Sequence, residues 1–320
     1  MKLNSIIKNQ SLFSAELMNK KAWVDLQVNG HNQVDYSSMQ LTADEFVRSV
    51  EELLNAGTKV FLPTVITSSE ELYRRNLPLI KNTVEKYGLQ KHVPGIHLEG
   101  PMITAKGSHN PEYFKDCSAE NVRKYFDISE GFIKIMTFSA DGQGACEAVS
   151  EAKKLGIIPS AGHHMATYND IHRFADSGGT LLTHLGNACP NLLNRHENPL
   201  LAGLAEDRVK AMIITDGHHL PADLIKLIFK VKGAENIIVT SDACSLCGCP
   251  PGEYELWGNK AVLTSDGKLY NPEKECLVAA ASTMAMCMDF LSSLEILSDD
   301  ELLAVGRNNA LKLLGMEDLI

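Results

Sequence analysis

The chain alternates eight times between a short run of β-branched and aliphatic residues and a longer amphipathic run. The segments between successive short runs are too long for hairpins, which favours parallel pairing of eight strands. The strand interiors are almost continuously apolar, as expected when both faces of a sheet are buried. Eight such units in about 290 residues predict a (β/α)8 TIM-type barrel. A doubly wound sheet stays open as the alternative, because periodicity does not show whether a sheet closes.

The predicted elements follow from this rhythm. The short runs predict strands at 22–28, 59–67, 92–99, 131–139, 157–164, 180–185, 209–217 and 236–243. The amphipathic runs predict helices at 42–57, 71–88, 118–126, 143–155, 167–177, 199–206, 221–233, 281–296 and 298–314. Thr42 is the expected N-cap and Gly57 the expected stop of the first helix. We expect one domain over residues 1–320, with a small β excursion at 245–275.

Composition narrows the classes of function. Lys and Arg number 30 against 40 Asp and Glu, a net charge of −10, which argues against nucleic acid or an anionic membrane as partner. The first residues lack the apolar core and cleavage site of a signal peptide, and no stretch approaches the ~18 apolar residues of a membrane span. The eight cysteines are then expected to be reduced thiols. These features predict a soluble, cytoplasmic protein.

Several predicted strands end in side chains able to bind metal or carry protons. These are Gln27, Asn29, Glu99, His163, His184 and Asp242, with His219 just beyond the seventh strand. In a barrel of this type the C-terminal strand ends meet at one mouth, where such enzymes place their chemistry. Residues far apart in sequence are therefore expected to form one site.

Glu99, His163 and His184 together indicate a metal site. Each alone has an ordinary structural interpretation, as a rim ion pair or a hydrogen-bonded histidine. Two imidazoles and one carboxylate, however, give Zn²⁺ three protein ligands and leave a position for water. The same set also suits Fe²⁺. His164 is expected to point away, because neighbouring side chains on a strand face opposite sides.

Two further residues are candidates for catalysis. Asp242 follows an apolar strand and could exchange a proton with an activated water, although a helix N-cap or rim ion pair explains it equally well. His109, in a loop after the third strand, could donate a hydrogen bond to a polarised carbonyl, or could simply be exposed. His218 and His219 follow the seventh strand, and one of them could bind an anionic group of a substrate.

The cysteine-rich segment Cys244-x-x-Cys247-x-Cys249 does not make a convincing metal site. No second pair with zinc-ribbon spacing follows it, so we expect these thiols to line or shape the mouth of the barrel. The sequence also lacks GxSxG, GxxxxGK[ST] and GxGxxG. Nucleophile-elbow, P-loop and dinucleotide-binding interpretations therefore have no motif to support them.

An ordered set of motifs resembles a known family. The motifs are WVDLQVNG (23–30), LPTVIT (62–67), GIHLEGP (95–101), AGH (161–163), THLGNA (183–188), DGHH (216–219) and TSDA (240–243). Over about residues 22–314 the chain is similar to the N-acetylglucosamine-6-phosphate deacetylases of the amidohydrolase superfamily. The combination is specific, whereas each motif alone would be weak.

The resemblance implies a role for each candidate residue. Glu99, His163 and His184 would be ligands of one divalent metal, Asp242 the catalytic acid/base, and His109 the group that polarises the acetyl carbonyl. The residues that would contact the sugar phosphate are Asn187, Ala188, His219 and, less securely aligned, Arg195. Gln27-x-Asn29 occupies the place where other amidohydrolases hold a second metal with His-x-His, and amides are poor Zn²⁺ ligands.

The implied activity is deacetylation of N-acetylglucosamine 6-phosphate by a homodimer. The family's β-sandwich is expected to be absent or vestigial, since few residues flank the barrel. Two alternatives stay open: the same chemistry on another N-acyl sugar or a cyclic amide, and a catalytically silent homologue that binds sugar phosphates.

Overall fold

The structure, a computed structural model, describes residues 22–190, 192–274 and 276–319. Its strands are β1 (Trp23–Val28), β2 (Gly30–His31), β3 (Val34–Asp35), β4 (Thr58–Ile66), β5 (Ile96–Glu99), β6 (Ile133–Phe138), β7 (Ile158–Ala161), β8 (Leu181–Leu182), β9 (Lys210–Ile213), β10 (Ile237–Val239), β11 (Gly252–Leu256), β12 (Asn259–Leu263), β13 (Leu269–Asn271) and β14 (Cys276–Leu277). Its helices are α1 (Ala43–Asn55), α2 (Glu70–Tyr87), α3 (Ala119–Ile128), α4 (Ala145–Lys154), α5 (Tyr168–Asp176), α6 (Pro199–Ala205), α7 (Ala222–Lys232), α8 (Met284–Ser293), α9 (Asp299–Leu303) and α10 (Asn309–Leu314). A π-helical turn, Ala304–Asn308, joins α9 to α10.

The eight predicted strands form one parallel sheet. Its order is β1-β4-β5-β6-β7-β8-β9-β10, so each of the eight strands lies beside the one that follows it in the predicted series. The sheet closes at its C-terminal end, where Val28 pairs with Ala243 and the amide of Asp242 donates to the carbonyl of Gln27 at 3.1 Å. The prediction of a TIM-type barrel is confirmed, and the open doubly wound sheet was the wrong alternative.

The first helix shows how local sequence sets an element's ends. The Thr42 hydroxyl accepts a hydrogen bond from the amide of Glu45, and the Glu45 carboxylate accepts one from the amide of Thr42, which completes a capping box. Phe46 and Val50 lie on the buried face of α1. The helix ends at Asn55, and Gly57 follows with φ of 96°, as the expected stop requires.

The interior of the barrel is filled by side chains rather than left as a pore. The buried residues that form this inner cluster include Val24, Leu26, Val60, Leu62, Ile135, Leu181, Met212 and Ile238. A larger cluster lies between the outer face of the strands and the helices. A rigid core of this kind fixes the positions of the strand ends that carry the site.

The segment after β10 forms a second, antiparallel sheet of β11–β14. It has its own apolar cluster, which includes Leu256, Ala261 and Leu269. Trp257 Nε1 donates to Asp35 Oδ2 at 3.0 Å, which ties this sheet to the segment that follows β1. The assignment of one domain to residues 1–320 stays a prediction, and residues 1–21 lie outside the described residues. Among the residues described, no helix is both long and apolar enough to cross a bilayer.

Candidate metal centre and catalytic site

The barrel brings the predicted strand-end residues to one place. Glu99 is the last residue of β5, while His163, His184 and Asp242 lie two or three residues beyond β7, β8 and β10. Each of the four side chains is buried or lines the central cavity. Residues up to 143 positions apart (99 to 242) are thus neighbours because parallel strands present their C-terminal ends to the same mouth.

Glu99 Oε1 is the centre of this cluster. It lies 3.1 Å from His163 Nε2 and 2.9 Å from His184 Nε2, and the two Nε2 atoms lie 3.1 Å apart. Three ligands at ~2.0–2.2 Å from one tetrahedral ion lie roughly 3.3–3.6 Å from each other. The observed separations therefore place all three atoms within a small adjustment of a common ion.

The protonation pattern of His163 fits a ligand. Its Nδ1 lies 3.1 Å from the carbonyl oxygen of Ala105, and a carbonyl can only accept, so in the neutral ring the proton is on Nδ1. The Nε2 lone pair then faces the oxygen of Glu99. Two electron-rich atoms in contact are unfavourable unless a cation binds both, so this donor set fits a divalent metal.

Electrostatics keep Glu99 ionised. Burial acts to raise its pKa, but the contacts with His163 and His184 outweigh burial and hold the pKa of Glu99 well below its usual value. Burial lowers the pKa of His184, and the same contact with Glu99 overcomes this effect, so that the pKa of His184 is raised. An ionised Glu99 can serve as an anionic ligand of a divalent cation, whose binding requires the two rings in their neutral forms.

His109 joins the same cluster from the loop after β5. Its ring centroid is 4.3 Å from that of His163, and one ligand atom each of Glu99, His109 and His163 lie within 4.8 Å of one another. Burial lowers the pKa of His109 to about 3, which keeps the ring neutral. The Nδ1 atom of His109 has no hydrogen-bond partner among the described residues. His109 is therefore placed either to bind the metal or to contact a substrate carbonyl.

Asp242 is oriented by the side-chain amide of the residue that follows β1. Asn29 Nδ2 donates to Asp242 Oδ1 at 2.7 Å, which leaves Oδ2 as the oxygen able to exchange a proton. Burial, followed by the charge of Glu99, raises the pKa of Asp242 to about 7. A carboxylate with this pKa can take up and return a proton near neutral pH.

The backbone at these positions is unusual. His163, His184, Ala188 and Asp242 have φ of 52°, 29°, 57° and 53°. Side-chain-bearing residues adopt the left-handed region uncommonly and at a cost, and such positions cluster at functional sites. The chain turns sharply at each strand end, which aims the side chain into the mouth rather than along the strand.

The cluster opens into a cavity of about 1010 Å³. Asn187, Ala188 and His219 line this cavity, as their predicted contact with substrate requires. His219 Nδ1 is bonded to Asp216 Oδ2 at 2.7 Å, so its other nitrogen is the one left for a ligand. His164 does not line the cavity, and its Nδ1 accepts from the amide of Ala166.

Arg195 and the cysteine-rich segment are not brought to the cavity. Arg195 is exposed and its Nε contacts His196 Nε2 at 2.9 Å, so its predicted role in binding stays a prediction. Cys244, Cys247 and Cys249 are absent from the residues that line the cavity, so they do not line the mouth as expected. Within the part of the chain that is described, these thiols form no metal-binding group, and burial raises the pKa of Cys247 to about 12.

Sequence reasoning missed several contacts. Gln27 Nε2 donates to Glu99 Oε1 at 3.0 Å, so Gln27 in β1 and Asn29 just after it orient the two carboxylates Glu99 and Asp242. Lys106, Trp257, Lys268 and Tyr270 also line the cavity. The last three belong to the strands and turns of the second sheet. The dipeptide Asp266-Gly267 is a turn signal from which the hairpin of β12 and β13 could have been predicted.

Comparison with known proteins finds similar proteins among the deacetylases of N-acetyl amino sugar phosphates. The chain is 28% identical over 278 residues to an N-acetylglucosamine-6-phosphate deacetylase of Haemophilus influenzae, which covers 86% of this chain and 71% of that protein. The crystal structure of the N-acetylglucosamine-6-phosphate deacetylase of Pasteurella multocida matches with a TM-score of 0.83 and 27% identity, over 93% of this chain and 77% of the other. The chain is thus similar to N-acetylglucosamine-6-phosphate deacetylases at about 24–28% identity.

Other findings show how far the chain departs from these relatives. An N-acetylgalactosamine-6-phosphate deacetylase of Escherichia coli is 28% identical over 75% of this chain and 63% of its own length. The chain thus spans about two thirds of the length of such relatives. No family model matches it.

Proposed function

We propose that the protein hydrolyses the acetamide of N-acetylglucosamine 6-phosphate, which releases acetate and glucosamine 6-phosphate. The observation that carries this proposal is the convergence of Glu99, His163 and His184 within 3.1 Å of each other, with Asp242 beside them, at the open end of the barrel. The relatives named above act on 6-phosphorylated N-acetyl amino sugars, which supports the choice of substrate.

Glu99, His163 and His184 would hold one divalent metal, with His109 close enough to assist. A metal held there would lower the pKa of a water molecule and polarise an amide carbonyl. We propose Zn²⁺, and Fe²⁺ is the second candidate for the same ligands. Gln27 supports the site by donating to Glu99, which leaves that carboxylate with a fixed orientation.

Asp242 moves the proton in this proposal. Its Oδ2 accepts a proton from the attacking water and returns it to the nitrogen of the departing amine. Asn29 keeps the carboxylate oriented throughout by its bond to Oδ1. Neutral His109 donates a hydrogen bond to the oxygen that becomes negative in the tetrahedral intermediate.

Substrate positioning would come from the wall of the cavity. Asn187 and Ala188 follow the metal ligand His184 in one turn, where the amide of Asn187 donates to the carbonyl of His184 at 2.9 Å. They would contact the sugar phosphate together with His219. We also propose a cytoplasmic homodimer, as the resemblance to the family implies.

The experiment that tests the proposal is an acetate-release assay with metal analysis of the purified protein. We expect a stoichiometric divalent metal and turnover of N-acetylglucosamine 6-phosphate well above that of unphosphorylated N-acetylglucosamine. Bound metal without acetate release from either sugar would contradict the proposal. Equal rates on both sugars would show that the phosphate is not part of the substrate.

A further inference from the structure

The charge of the cavity wall differs from that of the protein as a whole. The chain carries a net charge of −10, yet the carboxylates that line the cavity, Glu99 and Asp242, both belong to the catalytic cluster. The lysines that line it are Lys106 and Lys268, and neither has an ion-pair partner within the described residues. An unpaired cation in the wall of an acidic protein's cavity favours an anionic ligand.

The two lysines lie on different sides of the barrel. Lys106 belongs to the loop after β5, and its neighbour Gly107 is so close to the cluster that a Cβ there would lie 3.0 Å from His163 Cε1. Lys268 is held beside the loop after β9, and β5 and β9 are four strands apart in an eight-stranded barrel. Lys268 is therefore the lysine set across the cavity from the β5 loop.

The backbone of Lys268 is fixed by a tight hairpin turn between β12 and β13. The amide of Lys268 donates to Thr264 Oγ1 at 3.0 Å, and the amide of Thr264 donates to the carbonyl of Lys268 at 2.9 Å. The amine of Lys268 lies 5.2 Å from the ring centroid of Tyr270, which also lines the cavity. The neighbouring carboxylate of Asp266 is engaged by the hydroxyl of Thr264.

Two histidines connect this turn to the barrel. His218 Nε2 donates to the carbonyl of Asp266 at 3.0 Å, so the turn that carries Lys268 is attached to the loop after β9. Asp216 Oδ1 accepts from the amides of both His218 and His219 at 2.9 Å, which fixes that loop. Lys268 and the free nitrogen of His219 consequently face one cavity from adjoining, mutually bonded segments.

We propose that Lys268, together with His219, binds the 6-phosphate of the substrate, and that the hairpin of β12 and β13 is the phosphate-specificity element of this protein. The inference rests on the proposed deacetylase function. The acetamide at C2 and the phosphate at C6 lie on opposite sides of a hexopyranose ring. An acetamide at the metal cluster therefore directs the phosphate away from it, toward the wall that carries Lys268. Lysine amines are established phosphate binders because they combine a point charge with three donors.

The test compares Lys268→Gln and Lys268→Arg with Lys260→Gln as a matched control. Lys260 is a lysine of the same sheet that pairs with Glu253 at 3.5 Å and does not line the cavity. In Lys268→Gln, we expect the preference for phosphorylated over unphosphorylated N-acetylglucosamine, as a ratio of kcat/KM, to fall about 10- to 100-fold, mainly through KM. Lys268→Arg should retain most of the preference, and Lys260→Gln all of it.

A binding measurement separates this inference from the proposed function. Calorimetric titration of the metal-loaded wild-type protein with glucosamine 6-phosphate should show binding that Lys268→Gln weakens by the same factor. If the wild type binds this compound through Lys268 but releases no acetate, the deacetylase proposal fails and the phosphate site stands. An unchanged preference and affinity in Lys268→Gln would overturn the inference, as would a loss confined to Arg195→Gln.

Discussion

Replacement of Asp242 by asparagine tests the proposed proton transfer directly. Asparagine keeps the oxygen that accepts from Asn29 at 2.7 Å and replaces Oδ2 by an amide that cannot accept a proton. General acid–base catalysis contributes about 10²- to 10⁴-fold, equivalent to ~2.7–5.5 kcal/mol of barrier. Because Asp242 acts in both proton transfers, we expect kcat to fall at least about 10³-fold.

The assay is acetate release at saturating substrate, with the metal content measured on the same sample. Burial raises the pKa of Asp242 to about 7, so the carboxylate can act as a base near neutral pH, where the assay is run. Asp300→Asn, which alters an exposed carboxylate in the first turn of α9, is the control and should keep wild-type activity. Turnover above a tenth of the wild-type rate in Asp242→Asn, with metal bound, would refute the assignment.

Three further predictions concern metal, packing and pH. Removal of metal by a chelator should abolish acetate release and lower the midpoint of thermal unfolding. Added Zn²⁺ should restore both. Full turnover by the metal-free protein would contradict the proposed metal centre. Phe46→Ala should lower the free energy of unfolding, measured with denaturant, by about 3–5 kcal/mol, because this ring on the inner face of α1 is fully buried. A loss below about 1 kcal/mol would show that the site repacks. The hydrogen bond from Arg208 lowers the pKa of Glu206 from 4.5 to about 2. The ionised Glu206 therefore stabilises the folded protein fully above about pH 4.5, and this contribution to the free energy of unfolding is lost as the pH falls toward 2. In Arg208→Gln, the free energy of unfolding should depend less on pH over this range. An unchanged pH dependence would contradict the coupling between Arg208 and Glu206.

The barrel could be predicted from the sequence because its signal is local and repeated. Each predicted strand overlaps an observed one, although β8 and β10 have only two and three residues against predicted runs of six and eight. The shortening has a physical reason: the chain leaves the sheet early, at residues such as His184 and Asp242 that adopt a left-handed backbone. His and Asp adopt that conformation more often than most residues other than glycine, but still so seldom that no local pattern signals it.

The site was predicted in part. Position at strand ends identifies Glu99, His163 and His184 because topology alone brings such ends together. The contacts of Gln27 and Lys268 depend instead on tertiary distances between distant segments. A single sequence does not encode those distances in any local pattern, and the exposed position of Arg195 could not be foreseen for the same reason.

The seam between the first and last barrel strands has a consequence for folding. The bonds that close the ring, from Asp242 to Gln27 and from Asn29 to Ala243, join the same short segments that orient Asp242, the proposed proton-transfer group. These partners are more than 200 positions apart, so their meeting is among the late and entropically expensive events of folding. Enzymatic turnover would therefore report complete closure of the barrel. A partly folded form with seven strands paired and the eighth not yet paired would have no activity.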